Sequence, residues 1–169
     1  MAQHKNSRRT ILLGVDASEH SERALNWYIK NLCNKERDDV ILVHSQEEPT
    51  IPASAGPYDD GSTFYDVYLK EVGKKDRQTK KLLDGFGTKC ELHGVKFETY
   101  SQENTKPGEV ICKLAKDVNA NLIVMGSRGM GTLRRTLLGS VSDYCVHHAH
   151  IPVAIVPPPN RHGDHARSS

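Results

Sequence analysis

Four short runs in this chain are apolar at nearly every position: Thr10–Val15, Val40–Val43, Leu122–Met125 and Pro152–Val156. A strand with apolar side chains on both faces needs cover on both faces, which is the condition of a strand inside a parallel sheet. The segments between these runs have helical spacing. Ser18 is placed as an N-cap, with Glu19 and Glu22 in the first turn and Ala24, Leu25, Tyr28 and Leu32 on one stripe through to about Lys35. Tyr65, Tyr68, Leu69, Val72, Leu82, Leu83 and Phe86 form the stripe of a long second helix, and Pro107 opens a third that turns Val110, Ile111, Leu114, Ala115 and Val118 inward. Val95–Thr99 differs in alternating apolar and polar residues, as a strand at a sheet edge with one wet face does. Strand and helix in alternation require right-handed crossovers and a parallel sheet covered on both faces. The fold class predicted is therefore α/β, a single doubly wound open five-stranded sheet in the order 3-2-1-4-5. Its reversal point lies between strands one and four, where such sheets bind ligands.

A chain of 169 residues buries one good core, so one domain is expected over residues 10–157, with polar tails at 1–9 and 158–169 expected to be disordered. The segment from Glu47 to Ser62, rich in Pro, Gly, Asp and Ser, is expected to be a loop or lid. A net charge of +2 gives no argument for nucleic acid or an anionic membrane as partner, and no run approaches the length of a membrane span. The cytoplasm is the expected location. Cys33, Cys90, Cys112 and Cys145 lie far apart with no CxxC pair and read as reduced thiols. His147, His148 and His150 invite a metal site, but no Asp, Glu or Cys nearby completes a tetrahedral set with them, and none is expected.

The chemistry concentrates after the fourth strand, in Met125-Gly-Ser-Arg-Gly-Met-Gly-Thr-Leu-Arg-Arg-Thr-Leu-Leu-Gly-Ser-Val141. Gly126 and Gly129 are expected to let the backbone turn with positive φ and approach a ligand closely. Gly139 and Ser140, with Ser140 at the cap position, are expected to start a helix whose free N–H groups bind an anion. The two ends make one site only if the loop between them brings them together. A Walker A loop is excluded, because Thr132 stands where its lysine belongs, and a dinucleotide fingerprint is disfavoured by Arg134 in place of its last glycine. Asp16, closing the first strand, faces the same crevice across the sheet reversal. An anion cradle opposite one carboxylate suits a nucleotide.

The spacing Gly126, two residues, Gly129, nine residues, Gly139, Ser140 resembles the ATP-binding signature of the universal stress protein family, and the resemblance spans residues 9–157. It implies the adenine nucleotide alpha hydrolase-like fold and ATP as ligand, with Mg²⁺ held mainly through the phosphates. It carries a phosphate role onto Gly126, Gly129, Gly139 and Ser140, with Met125 and Val141 beside them. It also implies an adenosine contact for Asp16 and main-chain contacts to adenine at Val15 and Ser45. Arg128, inside the glycine pair, adds a charge-assisted phosphate contact. The last strand, apolar and at an edge, would be a liability alone, and the family pairs two such strands, so a homodimer through Val153, Ala154, Ile155 and Val156 is expected. The function implied is a nucleotide-dependent stress-response or signalling module with no assigned catalytic residue and at most slow ATP hydrolysis. The competing classes are a nucleotide-hydrolysing or adenylate-forming enzyme on the same scaffold, and a dimerisation module without nucleotide.

Overall fold

The computed structural model describes residues 8–46, 48–49, 64–103, 106–128 and 138–159. Its elements alternate as β1 (Arg9–Gly14), α1 (Glu19–Asn31), β2 (Asp38–Gln46), α2 (Phe64–Leu92), β3 (Phe97–Glu103), α3 (Pro107–Asp117), β4 (Leu122–Gly126), α4 (Ser140–His148) and β5 (Val153–Val156). All four strand pairings are parallel and the order is β3-β2-β1-β4-β5, the doubly wound arrangement that the alternation predicts. Two apolar layers sandwich the sheet. Ile11, Leu13, Val40, Leu42 and Val124 pack under α1 and α2, against Leu25, Tyr28, Leu83 and Phe86. Leu12, Val43, Ile123 and Met125 pack under α3 and α4, against Ile111, Leu114 and Cys145.

Several boundaries move for identifiable reasons. β1 begins at Arg9, one residue before the expected domain edge, because the Arg9 guanidinium is fixed by two bonds to Asp38 at 2.7 and 2.8 Å. Arg8 likewise pairs with Asp39. β2 runs on past Val43 because His44, Ser45 and Gln46 find ladder partners in Ser101, Gln102 and Glu103 of β3. Val95 is not in a strand; its amide closes the turn after α2 onto the Cys90 carbonyl at 2.9 Å, and β3 starts two residues later.

The stripe of α2 is the larger correction. Phe64, Tyr65, Tyr68 and Leu69 are exposed among the described residues, and burial begins only at Thr79. A helix of 29 residues is about 44 Å long, whereas the nine residues of β2 span about 30 Å. The helix outruns the sheet. The loop expected over 47–62 lies outside the described residues except for Glu48 and Pro49, as do residues 1–7 and 160–169 of the two tails.

A polar tie closes the end of the sheet where β1 begins. Asp38, 1% exposed, accepts from the Arg9 guanidinium, from the Tyr28 hydroxyl at 2.7 Å and from the Asn34 amide at 2.9 Å. Burial pushes the Asp38 carboxyl up, but the bonds from Arg9, Asn34 and Tyr28 outweigh it and hold the group below the usual carboxylate range.

Candidate functional site

At the opposite, carboxyl end of β1, β2 and β4 the structure opens a cleft of about 890 Å³. It lies at the β1/β4 reversal, and three walls build it. The β1 wall is the turn into α1. Asp16 Oδ1 accepts from the Ser18 amide at 3.0 Å and the Ser18 hydroxyl at 2.5 Å, and the Ser21 hydroxyl lies 2.9 Å away. Ser18 in turn caps α1, accepting from the Ser21 amide at 3.4 Å. Asp16 thus organises the helix start with one oxygen, and its Oδ2 has no protein partner among the described residues. Val15, expected to offer its main chain to a base, has its amide donating to the Val43 carbonyl at 2.9 Å and its carbonyl oxygen 2.8 Å from His44 Nδ1. Both groups are already engaged within the protein.

The β4 wall is the glycine segment. The Gly139 amide donates to the Ser127 carbonyl at 2.6 Å, so the two ends of the segment do meet. The Ser142 hydroxyl reinforces the junction, with Ser127 O at 3.1 Å and Gly139 O at 2.9 Å. Gly139, not Ser140, is the N-cap; its φ of −80° and ψ of 162° are extended, and no side chain caps the helix. Ser140 is the first helical residue. Asp143 makes the first intrahelical bond, to Gly139 at 2.9 Å, so the amides of Ser140, Val141 and Ser142 precede the ladder at the cleft. This is the arrangement that favours an anion. Met125 and Val141 supply apolar floor and Arg128 lines the rim. Gly129 lies outside the described residues.

Gly126 lines the cleft without the positive φ expected of it. Among the described residues Gly94 is the glycine with positive φ, and Gly126 is not. A Cβ at Gly126 would lie 2.8 Å from the carbonyl carbon, oxygen and Cβ of His20, so the glycine lets α1 pack onto β4.

The third wall joins the end of β2 to α2. Val43 turns its carbonyl to β1, and the alternation of a strand directs the main chain of Ser45 the same way, past the end of β1 and into the cleft. Gln46 is buried and links to α2: Thr79 Oγ1 donates to its Oε1 at 2.6 Å and its Nε2 donates to Asp76 at 3.2 Å. Lys75, Gln78, Thr79 and Leu82 complete the wall. None of the four was expected at a site. Counting helical turns back from Leu82 reaches Gln78, Thr79 and Lys75, so the stripe pointed there; their polarity concealed it.

The histidines of α4 make local contacts. His148 bonds to the Tyr144 carbonyl at 2.9 Å and stacks on its ring, and His147 lies 3.8 Å from Asp143. No group of three metal-ligating side chains occurs among the described residues.

The sequence profile described as the Universal stress protein family matches residues 7–157. The chain belongs to that family. A Universal stress protein A-like protein of Arabidopsis thaliana is 30% identical over 142 residues, covering 80% of this chain and 77% of its own. Among solved structures, the hypothetical protein MJ0577 superposes with a TM-score of 0.71 at 26% identity, over 90% of this chain and 97% of that one. A universal stress protein family structure from Arabidopsis thaliana with AMP bound superposes with a TM-score of 0.61 at 22% identity, over 89% of this chain and 92% of that one. The universal stress fold of this chain has no described helix long and apolar enough to cross a membrane.

Proposed function

We propose that the cleft binds an adenine nucleotide, ATP in the fullest form, and that this universal stress protein uses it as a ligand or switch in stress signalling. The observation that carries the reading is the uncapped start of α4, drawn by the Gly139–Ser127 bond to the edge of a cleft whose far wall offers Asp16. The amides of Ser140 and Val141, with Gly139 and Arg128 beside them, take phosphate oxygens. Gly129 is assigned to the same phosphate contact on its place in the signature. Asp16 Oδ2 accepts from a sugar hydroxyl, and Ser45 offers its main chain to the base, while Val15 contributes its side chain as wall. The AMP held by the Arabidopsis thaliana structure supports an adenine nucleotide as the ligand class. Mg²⁺ would be held chiefly by the phosphates, an ion that commonly keeps several waters and needs few protein ligands.

Rapid phosphoryl transfer needs a placed base or water-orienting group as well as phosphate contacts. Asp16, the carboxylate of the β1 wall, takes the Ser18 amide and hydroxyl on Oδ1 and is assigned through Oδ2 to the sugar, away from the phosphates, which favours binding over turnover. Thermal unfolding with and without ATP tests the reading, since ligand at 100 times Kd adds about 2.7 kcal/mol. No shift with ATP, ADP or AMP, together with no nucleotide in the purified protein by mass spectrometry, would refute it. The protein acts in the cytoplasm as a homodimer through β5, which pairs with β4 alone among the described residues and leaves its other edge open. A monomer by light scattering at micromolar concentration would count against that interface.

A further inference from the structure

Resting on the nucleotide reading, we propose that His44 is the positioning residue of the cleft, holding the Val15–Asp16 peptide so that Asp16 presents Oδ2 to the sugar of the bound nucleotide. The ladder between β1 and β4 stops at Leu13, and the bond from Val15 to Val43 is the last between β1 and β2. Beyond it the chain turns toward α1 with no neighbouring strand, and side chains take over. His44 Nδ1 lies 2.8 Å from the Val15 carbonyl. On the other edge of the same peptide, the Asp16 amide donates to Ser21 Oγ at 3.2 Å. The Ser21 hydroxyl is buried and has Asp16 O at 2.7 Å and Asp16 Oδ1 at 2.9 Å within reach of its single proton. A peptide unit is planar and turns as one body, so bonds to its C=O on one side and its N–H on the other both oppose its rotation. Rotation would swing the Asp16 carboxylate away from the cleft.

Position 44 suits this task. On β2 the side chains of Val40 and Leu42 enter the core under α1 and α2, and His44 follows on the same face where that core ends. A carbonyl can only accept, so Nδ1 carries the proton, in the neutral ring or in the imidazolium alike. With Oδ1 occupied by the Ser18 amide and hydroxyl, one oxygen of Asp16 is left for the ligand.

The test compares binding of ATP, 2′,3′-dideoxy-ATP and tripolyphosphate by calorimetry to the wild type, His44→Leu and His44→Asn. Leucine fills the space without a donor, whereas asparagine places its amide near the Nδ1 position. The wild type should prefer ATP to the dideoxy analogue. In His44→Leu that preference should collapse by about tenfold, the loss of one hydrogen bond to a charged group, with tripolyphosphate binding unchanged, and His44→Asn should restore it. If His44→Leu does not fold, His44→Met, which also lacks a donor and adapts to irregular space, is compared in its place. A donorless variant that keeps the full preference, or one that weakens all three ligands equally, overturns the proposal. A wild type that binds none of the three removes the nucleotide reading itself, a failure visible before any variant is made.

Discussion

The Gly139 amide and the Ser127 carbonyl meet at 2.6 Å, although twelve positions of chain separate them. That bond turns a glycine segment into a closed neck, with β4 entering on one side and α4 leaving on the other. The Ser142 hydroxyl touches both ends of it, at 3.1 and 2.9 Å.

Ser142→Ala removes this second clasp and leaves the Gly139–Ser127 bond in place. We expect a stability loss of about 1 kcal/mol in urea unfolding. Affinity for ATP should fall more than affinity for adenosine, because the phosphate side of the cleft loosens. Equal losses for both ligands would disprove the assignment of this wall to phosphate.

Gly126→Ala places a methyl 2.8 Å from the His20 backbone. Either α1 or β4 must shift, at a cost of about 1–3 kcal/mol, read as a lower urea midpoint. Hydrogen exchange should accelerate in α1. A lost ligand affinity at this position reports on helix packing, so the variant's stability has to be measured alongside its binding.

Asp38→Ala strands the buried Tyr28 hydroxyl and the Arg9 guanidinium. Removing one partner of such a pair costs about 3 kcal/mol, while nucleotide affinity should be unchanged, since the tie lies at the other end of the sheet. The folded carboxyl sits below its ordinary value, so its contribution is complete above the unfolded pKa of about 3.9. It is lost as pH falls through the lower folded value. The stability gap between wild type and Asp38→Asn should therefore narrow below about pH 4.

Cys90 and Cys145 are buried, and burial pushes both thiols up, Cys90 to about 11 and Cys145 further. Burial also raises Cys33 and Cys112, which are partly accessible. Iodoacetamide at pH 8 should label the native protein slowly, with Cys90 and Cys145 last, and all four sites rapidly in urea, as peptide mass spectrometry can count. A raised folded pKa stabilises the native state below the unfolded thiol pKa of about 8.5. For Cys90 that contribution should fade as pH rises from there towards 11.

The order of the sheet was legible because the doubly apolar runs differ from the alternating Lys96, Phe97 and Glu98, which mark an edge. Asp16 and the start of α4 were legible for a related reason: they follow strands, and the reversal point brings strand ends together. What Gly126 does was not, since its need for hydrogen arises from His20, more than a hundred positions earlier. Lys75, Gln78 and Thr79 escaped because a polar residue on a helical stripe looks the same whether it meets solvent or a cleft. The outward placement of Tyr65 and Tyr68 depends on how far α2 extends beyond β2, a length comparison that no local pattern contains.

β1 carries the Arg9–Asp38 tie at its first residue and leads to Asp16 two residues past its last. Roughly 20 Å of strand thus separates the ballast of the molecule from the candidate site. Selection can retune what the cleft accepts without touching the anchor, and can harden the anchor without altering what the cleft accepts.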